Sequence, residues 1–175
     1  MNERELFAAV LRPMVQKATG VENVLFGYQT AVAPGGPYAT VVVTSIQETA
    51  PGHIEREYLK DEQRIRTTLV TPVIYTVTVN FWRCPCAVAT AGRLVYCARL
   101  PSIHYLLFSA GCGWCDSDPV QNLTAEQSSA YEQRAAITFR IVGTQRVTDE
   151  ANTIEQLNGI TVEDTEGRIL SETRS

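Results

Sequence analysis

Val73-Ile74-Tyr75-Thr76-Val77-Thr78-Val79-Asn80-Phe81-Trp82 is the stretch that decides the fold. In an extended chain Val73, Tyr75, Val77, Val79 and Phe81 share one face, while Thr76, Thr78 and Asn80 share the other. Valines set against threonines in this way predict an antiparallel sheet with one buried and one wetter side. Pro72 stands directly before the run, where a missing amide donor is tolerable, so the strand is expected to open there.

On the N-terminal side, Tyr38 to Ile46 is β-branched and alternates, with apolar residues on both faces, as an inner strand requires. A breaker-rich loop, Ala33-Pro34-Gly35-Gly36-Pro37, precedes it, and a short apolar run, Val24-Leu25-Phe26, comes before that. The first segment reads as a helix. Asn2 and Glu5 have the spacing of a capping box, and Leu6, Phe7, Val10, Leu11 and Met14 form one apolar face. Pro13 predicts a kink or break near Arg12, and Gly20 a stop.

Between these strands, His53 to Val70 reads as a long hairpin. Ile54 to Tyr58 and Gln63 to Leu69 alternate around the polar tip Lys60-Asp61-Glu62, and the arm is expected to protrude from the domain body. Beyond Trp82 the period changes to helical. Val88, Ala91, Val95 and Ala98 fall on one stripe between Ala87 and Leu100, and Pro101 ends it. Ile103 to Phe108 fits either a strand or further helix. Gly111 to Leu123 reads as turns, Thr124 to Gln127 as the start of a helical turn, and Tyr131 to Val147 as another strand with Ile137, Phe139 and Ile141 on one side. The last part is more polar, with short apolar pieces at Ile154–Leu157, Ile160–Val162 and Ile169–Leu170, suited to edge strands or a docking arm.

The chain has 175 residues, 45% of them apolar and 19% charged. That is enough for one ordinary core and excludes a disordered chain. No run of 18 apolar residues is present, so no membrane span is expected. The acidic start, Met1-Asn2-Glu3-Arg4-Glu5, is unlike a secretory signal and predicts a chain made in the cytosol. A net charge of −4 and an isoelectric point near 5.2 argue against duplex binding as the main activity, which needs a concentrated basic surface. The fold class expected from the element order is α+β: a mixed, mainly antiparallel sheet with helices packed on one face, plus the hairpin and a C-terminal arm. The expected boundaries are one domain over residues 1–158 and an arm or extension over 159–175.

Chemistry-bearing residues are few. Cys84-Pro85-Cys86 and Cys112-Gly113-Trp114-Cys115 are two close pairs, and four thiolates would suit tetrahedral zinc. A small zinc-binding or redox module using Cys84, Cys86, Cys112 and Cys115 is therefore the alternative reading. The favoured one is partly buried free thiols in a reducing cytosol, with no metal and no cofactor. His53 and His104 are far apart and lie in no nucleophile motif, so no catalytic residues are assigned and no enzyme is expected. Pro34-Gly35-Gly36-Pro37 lacks the Gly-Lys-Ser/Thr ending of a phosphate loop. Charges of both signs crowd the hairpin, among them Glu55, Glu57, Lys60, Asp61, Glu62, Arg64 and Arg66. They make either a solvated face or a mixed-charge interface.

Three ordered stretches bear on that choice and leave the interface as a live alternative. Ala18-Thr19-Gly20-Val21 leads to Val24-Leu25-Phe26 and then, through Pro34-Gly35-Gly36-Pro37-Tyr38, into a strand. The Thr-Val strand ends in Phe81-Trp82 before a helix. Val120-Gln121-Asn122-Leu123 is followed by Tyr131-Glu132-Gln133-Arg134-Ala135 entering the last core strand. From about residue 5 to 160 this order resembles the neck and tail-completion proteins of tailed bacteriophages, the tail-terminator-like family. The cysteine pairs and the segment after Ile160 depart from that pattern.

The resemblance implies a non-enzymatic virion protein, assembled in the host cytoplasm. It implies a ring, usually a hexamer, at the head-proximal end of the tail, capping the tail tube and joining the head-tail connector. Its partners would be copies of itself, the tail tube protein and the connector or adaptor, with DNA only as cargo through the lumen and no membrane. In such a ring the expected subunit contacts are Glu55, Glu57, Lys60, Asp61, Arg64 and Arg66 of the hairpin, and Ile160, Val162, Ile169 and Leu170 of the arm.

Overall fold

A computed structural model of the chain describes residues 2–27, 33–59, 64–127, 130–152, 161–163 and 169–172. It has two compact units: one comprises Met1–His53 with Leu69–Arg146, the other Ile54–Thr68 with Val147–Ser175.

The first unit begins with a helix in three parts: α1 (Glu3–Leu6), a π-helical turn (Phe7–Leu11) and α2 (Arg12–Thr19). The capping box forms as the spacing predicts. The Glu5 amide donates to Asn2 Oδ1 and the Asn2 amide to Glu5 Oε2, each at 2.9 Å. The break expected at Pro13 takes the form of the widened turn, in which the Arg12 amide reaches back five residues to the Phe7 carbonyl. Proline has no N–H for the ordinary ladder, and a π-turn just before it absorbs the mismatch without ending the helix. Leu6, Val10, Leu11, Met14 and Val15 are fully buried. Gly20, in the left-handed conformation at φ 75°, stops α2 by donating to the Gln16 carbonyl.

The sheet runs in the order β1 (Asn23–Phe26), β2 (Tyr38–Glu48), β4 (Arg64–Trp82), β9 (Arg134–Asn152), β5 (Gly113–Ser117), with β3 (His53–Leu59) beside β4 and β6 (Gln121–Asn122) beside β9. β1 lies parallel to β2; β2 with β4, and β5 and β6 with β9, are antiparallel. Val73, Tyr75, Val77, Val79 and Phe81 are at most 3% exposed, as the alternation predicts. Their neighbours Thr76, Thr78 and Asn80 are half-buried, and the Thr78 hydroxyl bonds that of Thr138 at 3.0 Å. Helices pack on the valine face: the helical residues Leu6, Met14, Ala91, Leu94, Ile103 and Leu107 share one core with β2, β4 and β9. The fold is therefore α+β, with a mixed, largely antiparallel sheet.

Four local expectations need correction, and one choice left open is decided. Pro72 does not open a strand, because β4 is one element of 19 residues that includes the second hairpin strand. Pro72 sits where the ladder to β2 ends, next to the pair Glu48↔Val73, and its carbonyl accepts from the Thr49 amide at 3.1 Å. A residue without an N–H is harmless at such an interruption. The helix after Trp82 is α3 (Ala87–Cys97), and its buried stripe is Ala87, Ala91, Leu94 and Cys97, while Val88 is 42% exposed. Ile103 to Phe108 belongs to a further helix, α4 (Pro101–Ser109), started by Pro101. The stretch read as turns carries β5 and β6. Thr124 to Gln127 starts no helix: β7 (Ala125–Gln127) pairs antiparallel with β8 (Ala130–Glu132).

The second unit contains most of β3, the start of β4, the end of β9, and the antiparallel pair β10 (Thr161–Glu163) and β11 (Ile169–Glu172). Within it the Thr68 and Thr148 hydroxyls meet at 3.3 Å.

Candidate self-assembly surface

Strand β3 buries almost nothing. Every residue from His53 to Tyr58 is exposed, and Leu59 is half-buried. Alternation puts Ile54, Arg56 and Tyr58 on one face and Glu55 and Glu57 on the other. Ile54 and Tyr58 are 58% and 52% exposed. Glu57 faces Arg66 at 3.8 Å across the hairpin, an exposed ion pair that contributes little alone. Arg64 is exposed as well. Lys60 and Asp61 lie outside the described residues, as does Ile160. Val162 is on β10, and Ile169 and Leu170 are on β11, with Val162 opposite Ser171 and Glu163 opposite Ile169. The hairpin and the C-terminal segment, predicted separately, thus belong to one compact unit.

The cysteines do not gather. Among the described residues no group of three or more His, Cys, Asp or Glu is placed to hold a metal ion. The Cys84 thiol, buried just past β4, donates to the Trp82 and Tyr38 carbonyls at 3.4 and 3.9 Å. The Cys112 thiol donates to the Ala110 carbonyl and sits beside Gly143 and the Tyr75 ring. Tyr75 and Trp82 are seven positions apart on β4, about 23 Å at the rise of a strand. Zinc ligands must all lie about 2.3 Å from one ion, so the zinc alternative drops out. Cys112 and Cys115 lead into and lie on β5, not at a helix N-terminus, which removes the redox alternative too. All five cysteines are free thiols. Burial pushes the Cys97 thiol up to about 11 and also raises Cys84 and Cys112.

Two charged clusters went unnoticed in the sequence. At the end of β4, Glu132 accepts from Arg134 and from Arg83 Nε at 3.1 Å, and Arg83 also donates to the Pro34 carbonyl at 2.7 Å. The Arg134 guanidinium lies 4.5 Å from the centre of the Trp82 ring, whose indole N–H donates to Thr40. The hydrogen bond from Arg134, helped by Arg83, holds the Glu132 carboxyl below the usual range despite some desolvation. Near β5, Arg140 bridges Asp116 at 2.8 Å and Asp118 at 3.1 Å, which raises its pKa further. Both clusters satisfy their own charges and therefore organise the sheet margin.

The third feature missed is apolar. On α4, Ile103 and Leu107 enter the core, while Pro101, His104, Tyr105 and Phe108 face out. Tyr105 and Phe108 are 73% and 79% exposed, and α4 has no Asp, Glu, Lys or Arg. A helix with no charged face and exposed aromatic rings is normally covered by something. The signal was present in Pro101 to Ser109 as helical spacing without a single formal charge.

No helix among the described residues is long and apolar enough to cross a membrane. Among curated proteins none matches the chain. The sequence does match the family model of the phage neck terminator proteins over residues 4–167, nearly its full length, and the chain belongs to that family.

Proposed function

We propose that copies of this chain close into a ring, a hexamer in the simplest case, at the head-proximal end of a phage tail. The ring stops growth of the tail tube and offers its other side to the head-tail connector. Its partners are further copies, the tube protein and the connector, and DNA passes through the lumen as cargo. Family membership supports a structural role in the phage neck, and the proposed work needs no catalytic step.

The observation that carries the ring is β3, a strand exposed from His53 to Tyr58. A marginal strand that buries neither of its faces gains little from its own sheet, and an uncovered strand edge invites pairing. In a closed ring each ribbon is covered by a neighbour. The subunit contacts are Glu55, Glu57, Lys60, Asp61, Arg64 and Arg66, where mixed charges set the register. The segment after residue 158 acts as an arm that adds Ile160, Val162, Ile169 and Leu170. A net charge of −4 suits a lumen along which DNA must slide without sticking.

Mass measurement in solution tests this. A ring gives a discrete multiple of 19.3 kDa that binds the end of purified tail tubes. A 19.3 kDa particle at working concentration, with no affinity for tubes or connectors, overturns it.

A further inference from the structure

We infer that the bare face of α4, centred on Tyr105 and Phe108, receives the Ile54-Arg56-Tyr58 face of the hairpin from a second copy of this chain. The inference rests on the ring reading and names the two surfaces that meet. A ring built by rotation has a heterologous interface: each copy contributes two unlike patches, one to each neighbour. The described residues supply two unlike patches of matching chemistry. One is a strand face carrying two large apolar side chains, 58% and 52% exposed, on either side of a cation. The other is a helix face with two aromatic rings and no formal charge.

The charge pattern favours this occupant. Arg56 meets no like charge on α4, and its guanidinium can lie over the Tyr105 or Phe108 ring, the arrangement in which a cation gains most from an aromatic face. Glu55 and Glu57, on the opposite face of β3, stay clear of the aromatic surface. The area fits as well. Two aromatic side chains about three-quarters exposed present roughly 300 Å² of apolar surface, the size of a functional patch. That is a fitting centre for an interface of about 800 Å² on each partner, with the charged hairpin residues as its rim.

The full-length chain, carrying the photo-cross-linker p-benzoylphenylalanine in place of Phe108, tests the contact. Equal amounts of light and heavy-isotope chains are mixed, irradiated and mapped by mass spectrometry, with the particle mass recorded on the same sample. Mixed-isotope dimers linked to residues 54–58 are expected. A link within one chain, to another segment of a neighbour, only to tube protein in assembled tails, or no link in an intact ring overturns the inference while the ring reading stands. A 19.3 kDa particle ends both. Independently, Phe108→Ser and Tyr58→Ser, both surface changes, should each weaken association at least tenfold. The double variant should lose less than the product of the two, because the residues share one contact. Fully multiplicative losses, with native circular dichroism throughout, would also count against it.

Discussion

Glu132 shows how a single carboxylate can tie loop to strand. It holds Arg83, which in turn holds the Pro34 carbonyl, and it holds Arg134 above Trp82. A carboxyl kept below its ordinary 4.5 stabilises the fold fully above that pH and loses its contribution as pH falls through the lowered value. Glu132→Gln should therefore lower the thermal midpoint by a few degrees at pH 7, and the gap from wild type should shrink toward pH 3. An equal gap at both values would mean that the carboxylate charge is irrelevant. The sequence could not reveal this cluster, because Arg83 and Glu132 are 49 positions apart and meet only once β4 and β8 are in place. The cysteines show the converse: closeness along the chain raised the zinc alternative, but the 25 intervening residues carry the two pairs to separate places, and the favoured reading of free thiols stands.

Among the elements, α2 and α3 allow paired tests of opposite sign. Gly20 ends α2 at φ 75°, and a Cβ there meets nothing within 4 Å, so Gly20→Ala should cost about 1 kcal/mol through backbone conformation alone. Gly92 lies inside α3 with open space around its would-be Cβ, so Gly92→Ala should stabilise by up to about 1 kcal/mol. Urea unfolding of both variants measures the two signs, and like signs would refute the account. The long strands were legible because alternation over ten residues leaves little ambiguity. The face of α3 was read about one position off, since Val88 is more apolar than Ala87 yet Ala87 is the one buried. β5 was hidden by Gly113, Cys115 and Asp116, which read as turn residues; it forms because Trp114 stacks on Phe139 at 4.9 Å.

For the whole molecule, the hairpin proposed as an assembly arm was recognisable in the sequence because charge alternates there with apolar residues. The α4 surface was not, because an uncharged helix reads as buried until the fold leaves one side bare. In the proposed ring the C-terminal arm stabilises assembly more than folding. A chain truncated after Leu157 should keep the circular dichroism of the intact protein while its ring dissociates at higher concentration, as sedimentation would record. An unchanged ring would assign the arm another duty.

The bare rings of Tyr105 and Phe108 have a practical consequence for anyone handling the isolated chain. Adhesion between uncharged aromatic surfaces draws on the release of ordered water and weakens on cooling, whereas sodium chloride acts chiefly on the charges α4 lacks. Stray clumping of the free subunit should therefore fade in the cold room and return on the warm bench. Temperature, more than ionic strength, would be the dial that sets how much of it stays dispersed.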